Sequence, residues 1–203
     1  MSRPLKKATF GQSFLGFFRL IRWQNLLIIV FTQYLTRIFL IGHEQSWRQV
    51  ILEPDLFWIC LSTVLIAAAG YIINDYYDVK IDIINKPRRV IIGRYIRRRI
   101  AMGAHLTINV LALGIGWMVD KKVFAINVLA VFCLWFYSNQ LKRLPFWGNL
   151  MVAILTGFSL VVLAVHYFSH QQEVYIFALF AFSITLIREI IKDMEDIRGV
   201  TIN

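Results

Sequence analysis

The chain has 203 residues, of which 58% are hydrophobic and 15% aromatic, a formal net charge of +10 and a mean hydropathy of +0.61. So apolar a composition excludes an ordinary soluble domain and points to an integral membrane protein. The positive charge sits in short blocks between apolar runs instead of along one amphipathic face, which argues against nucleic acid as a partner, and the two cysteines, Cys60 and Cys133, lie inside apolar runs and make neither a disulfide framework nor a thiolate metal site.

About 20 apolar residues cross a hydrocarbon core of roughly 30 Å, and six runs approach that length: 24–41, 55–74, 100–119, 122–139, 148–168 and 174–191. Helices satisfy their own backbone polar groups in lipid, so the expectation is an all-α polytopic transmembrane bundle forming a single domain over 1–203. The basic N-terminal stretch lacks a small-residue cleavage site and reads as a retained first helix. Eighteen of the twenty-two Lys and Arg residues fall on one side of an alternating six-span path, leaving Arg37, Arg48, Lys121 and Lys122 for the other. That bias places the N-terminus and both acidic clusters in the cytoplasm, and the expected location is a bacterial inner membrane.

In the first span RWQN puts Arg22 and Asn25 at the cytoplasmic edge, where they serve either as an interfacial anchor or as a contact to substrate. The second span runs into NDYYDVKIDIINKPRR, residues 74–89. Asp75, Asp78 and Asp82, spaced i, i+3 and i+7, share about one-sixth of a helix circumference, with Asn74 one turn before Asp78. Acids so close repel unless they share a cation, and Lys86, Arg88 and Arg89 follow at once to hold an anion. The stretch reads as a magnesium and phosphate device at a membrane boundary. Gly93 and RYIRRRI make a turn and a basic amphipathic start to the third span.

The fourth span ends in FYSNQLKRLPFWGN, where Tyr137, Lys142 and Arg143 are of the type that anchors helix ends. The sixth ends in IREIIKDMEDIRGV, residues 189–199 holding a second acidic and basic cluster with Glu189, Asp193 and Asp196 on one face and Arg188 and Lys192 beside it. Ordinary i, i+4 ion pairs would explain it alone. Yet seven of the twelve acids fall in two clusters that end even-numbered spans on the same side, and ionisable groups so placed are a functional hypothesis. His43, His105, His166 and His170 form no metal set and read as structural or interfacial.

These residues resemble the UbiA-type intramembrane prenyltransferases, in the branch that includes digeranylgeranylglyceryl phosphate synthases. The NDxxDxxxD pattern is matched by Asn74, Asp75, Asp78 and Asp82, and the second aspartate pattern by Asp193 and Asp196, with RWQN and YSNQLKR in support. The resemblance implies Mg²⁺ as cofactor, bridging Asp75, Asp78, Asp193 and Asp196 to a prenyl diphosphate, with Asp82 and Asn74 completing or orienting the shell. It implies substrate contacts from Arg22, Asn25, Asn74, Lys86, Arg88, Tyr137, Lys142 and Lys192, and an aromatic or glycerol-phosphate-type acceptor reached through the membrane lipid. Family members carry nine spans against six here, and related sequences continue IRGD where this chain has Val200. The chain is therefore expected to be incomplete at its C-terminus. Two other readings are a non-catalytic member that binds lipid diphosphate and a divalent-cation transporter.

Overall fold

The computed structural model describes residues 10–85, 90–144, 146–168 and 170–201, without the side chains of residues 10, 12, 85, 143 and 196–201. Lys86, Arg88 and the side chains of Asp196 and Val200 therefore lie outside the described residues. The described residues form eight α-helices in this order: α1 (Phe10–Leu20), α2 (Trp23–Thr36), α3 (Trp47–Ile51), α4 (Pro54–Asn85), α5 (Arg98–Val119), α6 (Lys121–Asn139), α7 (Trp147–Tyr167) and α8 (Gln171–Thr201). The segments Trp23–Ile41, Pro54–Ile84, Arg98–Val119, Lys121–Asn139, Trp147–Tyr167 and Gln171–Glu195 are long and apolar enough to cross a membrane. They coincide with the six runs read from the sequence, with α4 and α8 extended past the apolar stretch to carry the acidic clusters.

Large apolar side chains on the outside of the bundle, among them Phe31, Phe39, Val110, Met118 and Phe180, are more than half exposed, as expected of faces whose solvent is lipid. The N-terminal stretch, described from Phe10, is not one helix with the first span. Arg22 adopts a left-handed conformation (φ 52°, ψ 54°) and breaks the path between the short amphipathic α1 and α2. The Ser13 hydroxyl donates to the Tyr95 carbonyl at 3.1 Å and ties α1 to the turn before α5. That turn is built around Gly93 at φ 91°, a backbone conformation that glycine adopts without a Cβ penalty.

α4 is the central element, packing on α2, α5 and α6, while α7 packs on α6 and α8. Gly70 permits the close approach of α4 to α6, since a Cβ there would lie 2.8 Å from the end of Leu134. Two apolar clusters hold the ends. At the aspartate end Leu20, Ile72, Ile92 and Ala101 are buried between α1, α4, α5 and the turn. At the opposite end Leu56, Ile59, Val123, Leu163 and Val174 are fully buried. A network lies beside that second cluster. Arg37, on a single π-helical turn that ends α2, is 5% exposed, pairs with Glu53 at 2.8 Å, donates to Gln45 Oε1 at 3.0 Å and lies over the Tyr167 ring at 4.3 Å.

Candidate diphosphate site at the aspartate end

Five helices enclose a cavity of about 700 Å³ that starts at the aspartate end and runs into the bundle. The α4 wall is one helical stripe, Thr63, Ile66, Ala67, Gly70, Tyr71 and Asn74, at the i, i+3, i+4 spacing of a single face. The other walls follow the same gradient. At the mouth stand Arg22 just before α2, Asn25 of α2, Tyr71 and Asn74 of α4, Tyr137 of α6, and Arg188, Glu189 and Lys192 of α8. Below them the lining is largely apolar, with Ile28, Ile66, Ala130, Leu134, Leu155 and Ile184, down to Thr63, Asn127 and Ser159.

At the mouth Asp75, Asp78, Asp193 and Glu189 are each held by a nitrogen donor from another part of the chain or from their own helix. Arg22 Nη2 lies 3.2 Å from Asp75 Oδ1 and its guanidinium lies 4.8 Å from the centre of the Tyr71 ring. Asn25 Nδ2 donates to the Tyr71 hydroxyl at 3.2 Å. Lys142, on the short turn after α6, donates to Asn74 Oδ1 at 3.0 Å and contacts the Asp78 carboxylate. Across the cavity Asn149 Nδ2 donates to Asp193 Oδ2 at 2.7 Å, and Glu189 is held by Arg188 at 2.8 Å and Lys192 at 3.3 Å. Burial pushes the Lys142 ammonium down to about 8; the Asp75 charge opposes this, and Arg22 and Lys192 reinforce it. A cation so disfavoured gains when an anion arrives.

Arg22, Asn25, Asn74, Tyr137 and Lys192, expected from the sequence as substrate contacts, thus line one mouth together, and Lys142 reaches it through Asn74. Asp75 and Asp78 stand on the α4 side of it and Asp193 on the α8 side. Asp82 follows Asp78 one turn farther out. Tyr71 and Asn149 belong to the same constellation, although the sequence reading assigned them no role, and Glu189, grouped there with the second acidic cluster, joins them. The signal for Tyr71 was available, because it lies one turn before Asp75 on the aspartate stripe.

Among the described residues no three His, Cys, Asp or Glu side chains are grouped as a ready metal cage. The donor set is nonetheless one that suits magnesium. It is made of carboxylate and amide oxygens on two facing walls, and this ion commonly takes one or two carboxylates and completes its shell with phosphate and water.

A family model described as the UbiA prenyltransferase family matches residues 35–201. The chain belongs to this family. Its multi-pass membrane character follows from that membership and the six apolar helices. Among curated proteins it is similar to the digeranylgeranylglyceryl phosphate synthase of Saccharolobus solfataricus, 37% identical over 141 residues that cover 68% of this chain and 50% of the relative. The synthase of the same name from Sulfurisphaera tokodaii is 31% identical over 189 residues, covering 91% of this chain and 65% of the relative. The UbiA-family fold is also seen in a solved structure concerned with digeranylgeranylglyceryl phosphate synthase in membranes. It superposes with a TM-score of 0.78 at 24% identity, over 92% of this chain and 64% of the other. The chain thus spans half to just under two thirds of the length of these relatives.

Proposed function

We propose that this chain carries the donor site of a membrane-embedded transferase that moves a prenyl group from a prenyl diphosphate to a hydroxyl of a glycerol-phosphate-type acceptor. The observation that carries the reading is the graded cavity: a mouth that carries Arg22, Arg188, Glu189 and Lys192, with Asp75 and Asp193 paired beside it, above a largely apolar shaft inside a membrane bundle. A diphosphate with an isoprenoid tail has the same gradient. The acceptor class comes from the relatives, which are named as synthases of a digeranylgeranylglyceryl phosphate.

Magnesium would be held by Asp75 and Asp78 on one wall and Asp193 and Asp196 on the other, with Asp82 and Asn74 supporting the first pair. When bound, it neutralises the charge that grows on the departing diphosphate. The chain's own residues do the remaining work. Lys142, held at the Asn74 amide oxygen and the Asp78 carboxylate, stands where its ammonium would face the diphosphate. Arg22 and Lys192 face the same anion from the start of α2 and from α8, and Lys86 and Arg88 follow α4 in the sequence. Donors placed where charge develops lower the barrier without reorganising at the moment of reaction. Asn25, through the Tyr71 hydroxyl, holds the ring on which Arg22 rests. Tyr137 and the apolar wall below it screen the allylic carbon from water, so that the acceptor and not water captures it: the bond from carbon to diphosphate oxygen breaks with its electron pair leaving on the diphosphate, the acceptor oxygen bonds to that carbon, and the acceptor's proton passes to the departing diphosphate.

The positive-inside bias supports a cytoplasmic aspartate end. Transport of a divalent cation is disfavoured by the apolar cluster of Leu56, Ile59, Val123 and Leu163, which gives an ion no onward path. The test is transfer of labelled geranylgeranyl diphosphate in membranes carrying this chain, with glycerol-phosphate and aromatic acceptors, in Mg²⁺ and in chelator. Magnesium-dependent product on the glycerol-phosphate acceptor is expected. Diphosphate binding without product would favour a non-catalytic lipid-diphosphate binder, and metal flux without diphosphate binding would overturn the reading.

A further inference from the structure

The shaft below the mouth ends in polar groups, which an apolar tail does not require. Gln33 of α2 is fully buried and donates from Nε2 both to Thr63 Oγ1 of α4 at 3.1 Å and to the Ser159 carbonyl of α7 at 2.6 Å. Its Oε1 is buried with no hydrogen-bond partner. Asn127 of α6, 3% exposed, donates to the Ser62 hydroxyl at 3.2 Å. Thr63, Asn127 and Ser159 line the cavity, and Gln33 joins two of them from behind. One turn deeper on the same three helices come Ile59, Val123 and Leu163, each fully buried. The cavity therefore ends at a polar layer flanked by Ile126 and Val162, with buried apolar side chains beyond it.

We propose that this layer, Gln33, Thr63, Asn127 and Ser159, sets the length of the isoprenoid tail, an inference that rests on the prenyl-donor reading of the site. Thr63 and Asn74 are eleven residues apart on α4, so the shaft is about 16 Å deep at the helical rise per residue. That is roughly half of a hydrocarbon core. An extended carbon chain advances roughly 1.2 Å per bond, by analogy with the reach of an extended backbone, so an isoprene unit of four chain bonds needs about 5 Å. Three units fit in line and a fourth bends along the floor. Farther units meet an amide oxygen already short of a donor and the buried core of Ile59, Val123 and Leu163; forcing methylenes into either is unfavourable.

Gln33 holds the floor by bridging three helices, so it is a positioning residue, and Thr63 forms the surface the tail end meets. The experiment measures binding of prenyl diphosphates of two, three, four and nine isoprene units to the full chain in lipid nanodiscs with Mg²⁺, for the native protein, Gln33→Ala and Thr63→Phe. Taking the ratio of affinities within each protein cancels any loss of folded material. In the native protein affinity is expected to rise through four units and to fall at least tenfold at nine. Gln33→Ala removes the post beneath the floor, and the nine-to-four ratio should rise by about tenfold, the scale on which hydrophobic pockets discriminate size. Thr63→Phe raises the floor, and the preference should move to three units or two. Equal native binding of four- and nine-unit donors, or ratios unchanged in both variants, overturns the proposal. Failure of the folded native protein to bind any of the donors overturns the prenyl-donor reading itself, and the ruler with it.

Discussion

Lys142 and Asn74, sixty-eight positions apart, meet at the mouth of the cavity with 3.0 Å between the ammonium and the amide oxygen, and the same ammonium contacts Asp78. The turn after α6 is thereby fastened to the aspartate stripe of α4 by a cation that stands where positive charge is needed. Lys142→Met should keep the fold and lower the rate of prenyl transfer by about 10²-fold, the scale for removing one donor aimed at developing charge. Single-turnover transfer in membranes, alongside a folding check in detergent, measures this. Lys142→Arg should restore little, because a planar fork does not replace a compact ammonium between two oxygens.

Arg22 pairs with Asp75 while its side chain stays 45% exposed, so the pair adds little stability. Arg22→Ala should shift the thermal unfolding midpoint very little. It should raise KM for the diphosphate donor several-fold, because the guanidinium at the mouth is lost. A KM series over donor concentration separates the two effects. A drop in stability with unchanged KM would make Arg22 an anchor only.

At the other end Arg37 is a structural cation. Its pairing with Glu53 leaves the two side chains 6% and 24% exposed, and breaking a buried pair by removing one partner leaves a charge uncompensated. Arg37→Met should cost about 3 kcal/mol. Arg37→Met with Glu53→Gln should recover much of it. Denaturant unfolding in detergent reads both, and donor affinity of the folded fraction should stay as in the native protein. Gly42→Ala should also destabilise, because its Cβ would lie 2.2 Å from Arg37 Nη1 and 3.0 Å from the Arg37 carbonyl oxygen.

Removal of divalent metal should abolish transfer and return on adding Mg²⁺. Calcium should restore less, since its larger, more flexible shell suits this combination of carboxylates and phosphate oxygens less well. The measurement is product formed after chelation and titration with each ion.

The six spans and the aspartate stripe were legible because each rests on local periodicity: 18 or more apolar residues for a span, and i, i+3, i+7 for one helix face. The placement of Lys142 over Asn74 was less so, because an aromatic and two basic residues ending a helix have the composition of an ordinary anchor. Only the long-range packing of α4, α6 and the turn after it decides that Lys142 points inward. Arg37 was grouped with topology-setting charges, yet it is buried, since nothing local distinguishes a loop arginine from one that meets Glu53 sixteen residues later. Gln33 is a single polar residue in an apolar span, and its meaning depends on Thr63 and Ser159 from two other helices. The break at Arg22 was foreshadowed by RWQN, but its left-handed backbone was not.

The central claim is that the carboxylates of α4 and α8 act as one diphosphate site. Its most direct measurement is Mg²⁺-dependent binding of labelled geranylgeranyl diphosphate to the native protein, Asp78→Asn, Asp193→Asn and the double variant. The account predicts that each single variant loses most of the binding and that the double loses little more, as groups acting as a unit do. Native-like binding in either single variant, or losses in the two that simply multiply, would contradict it.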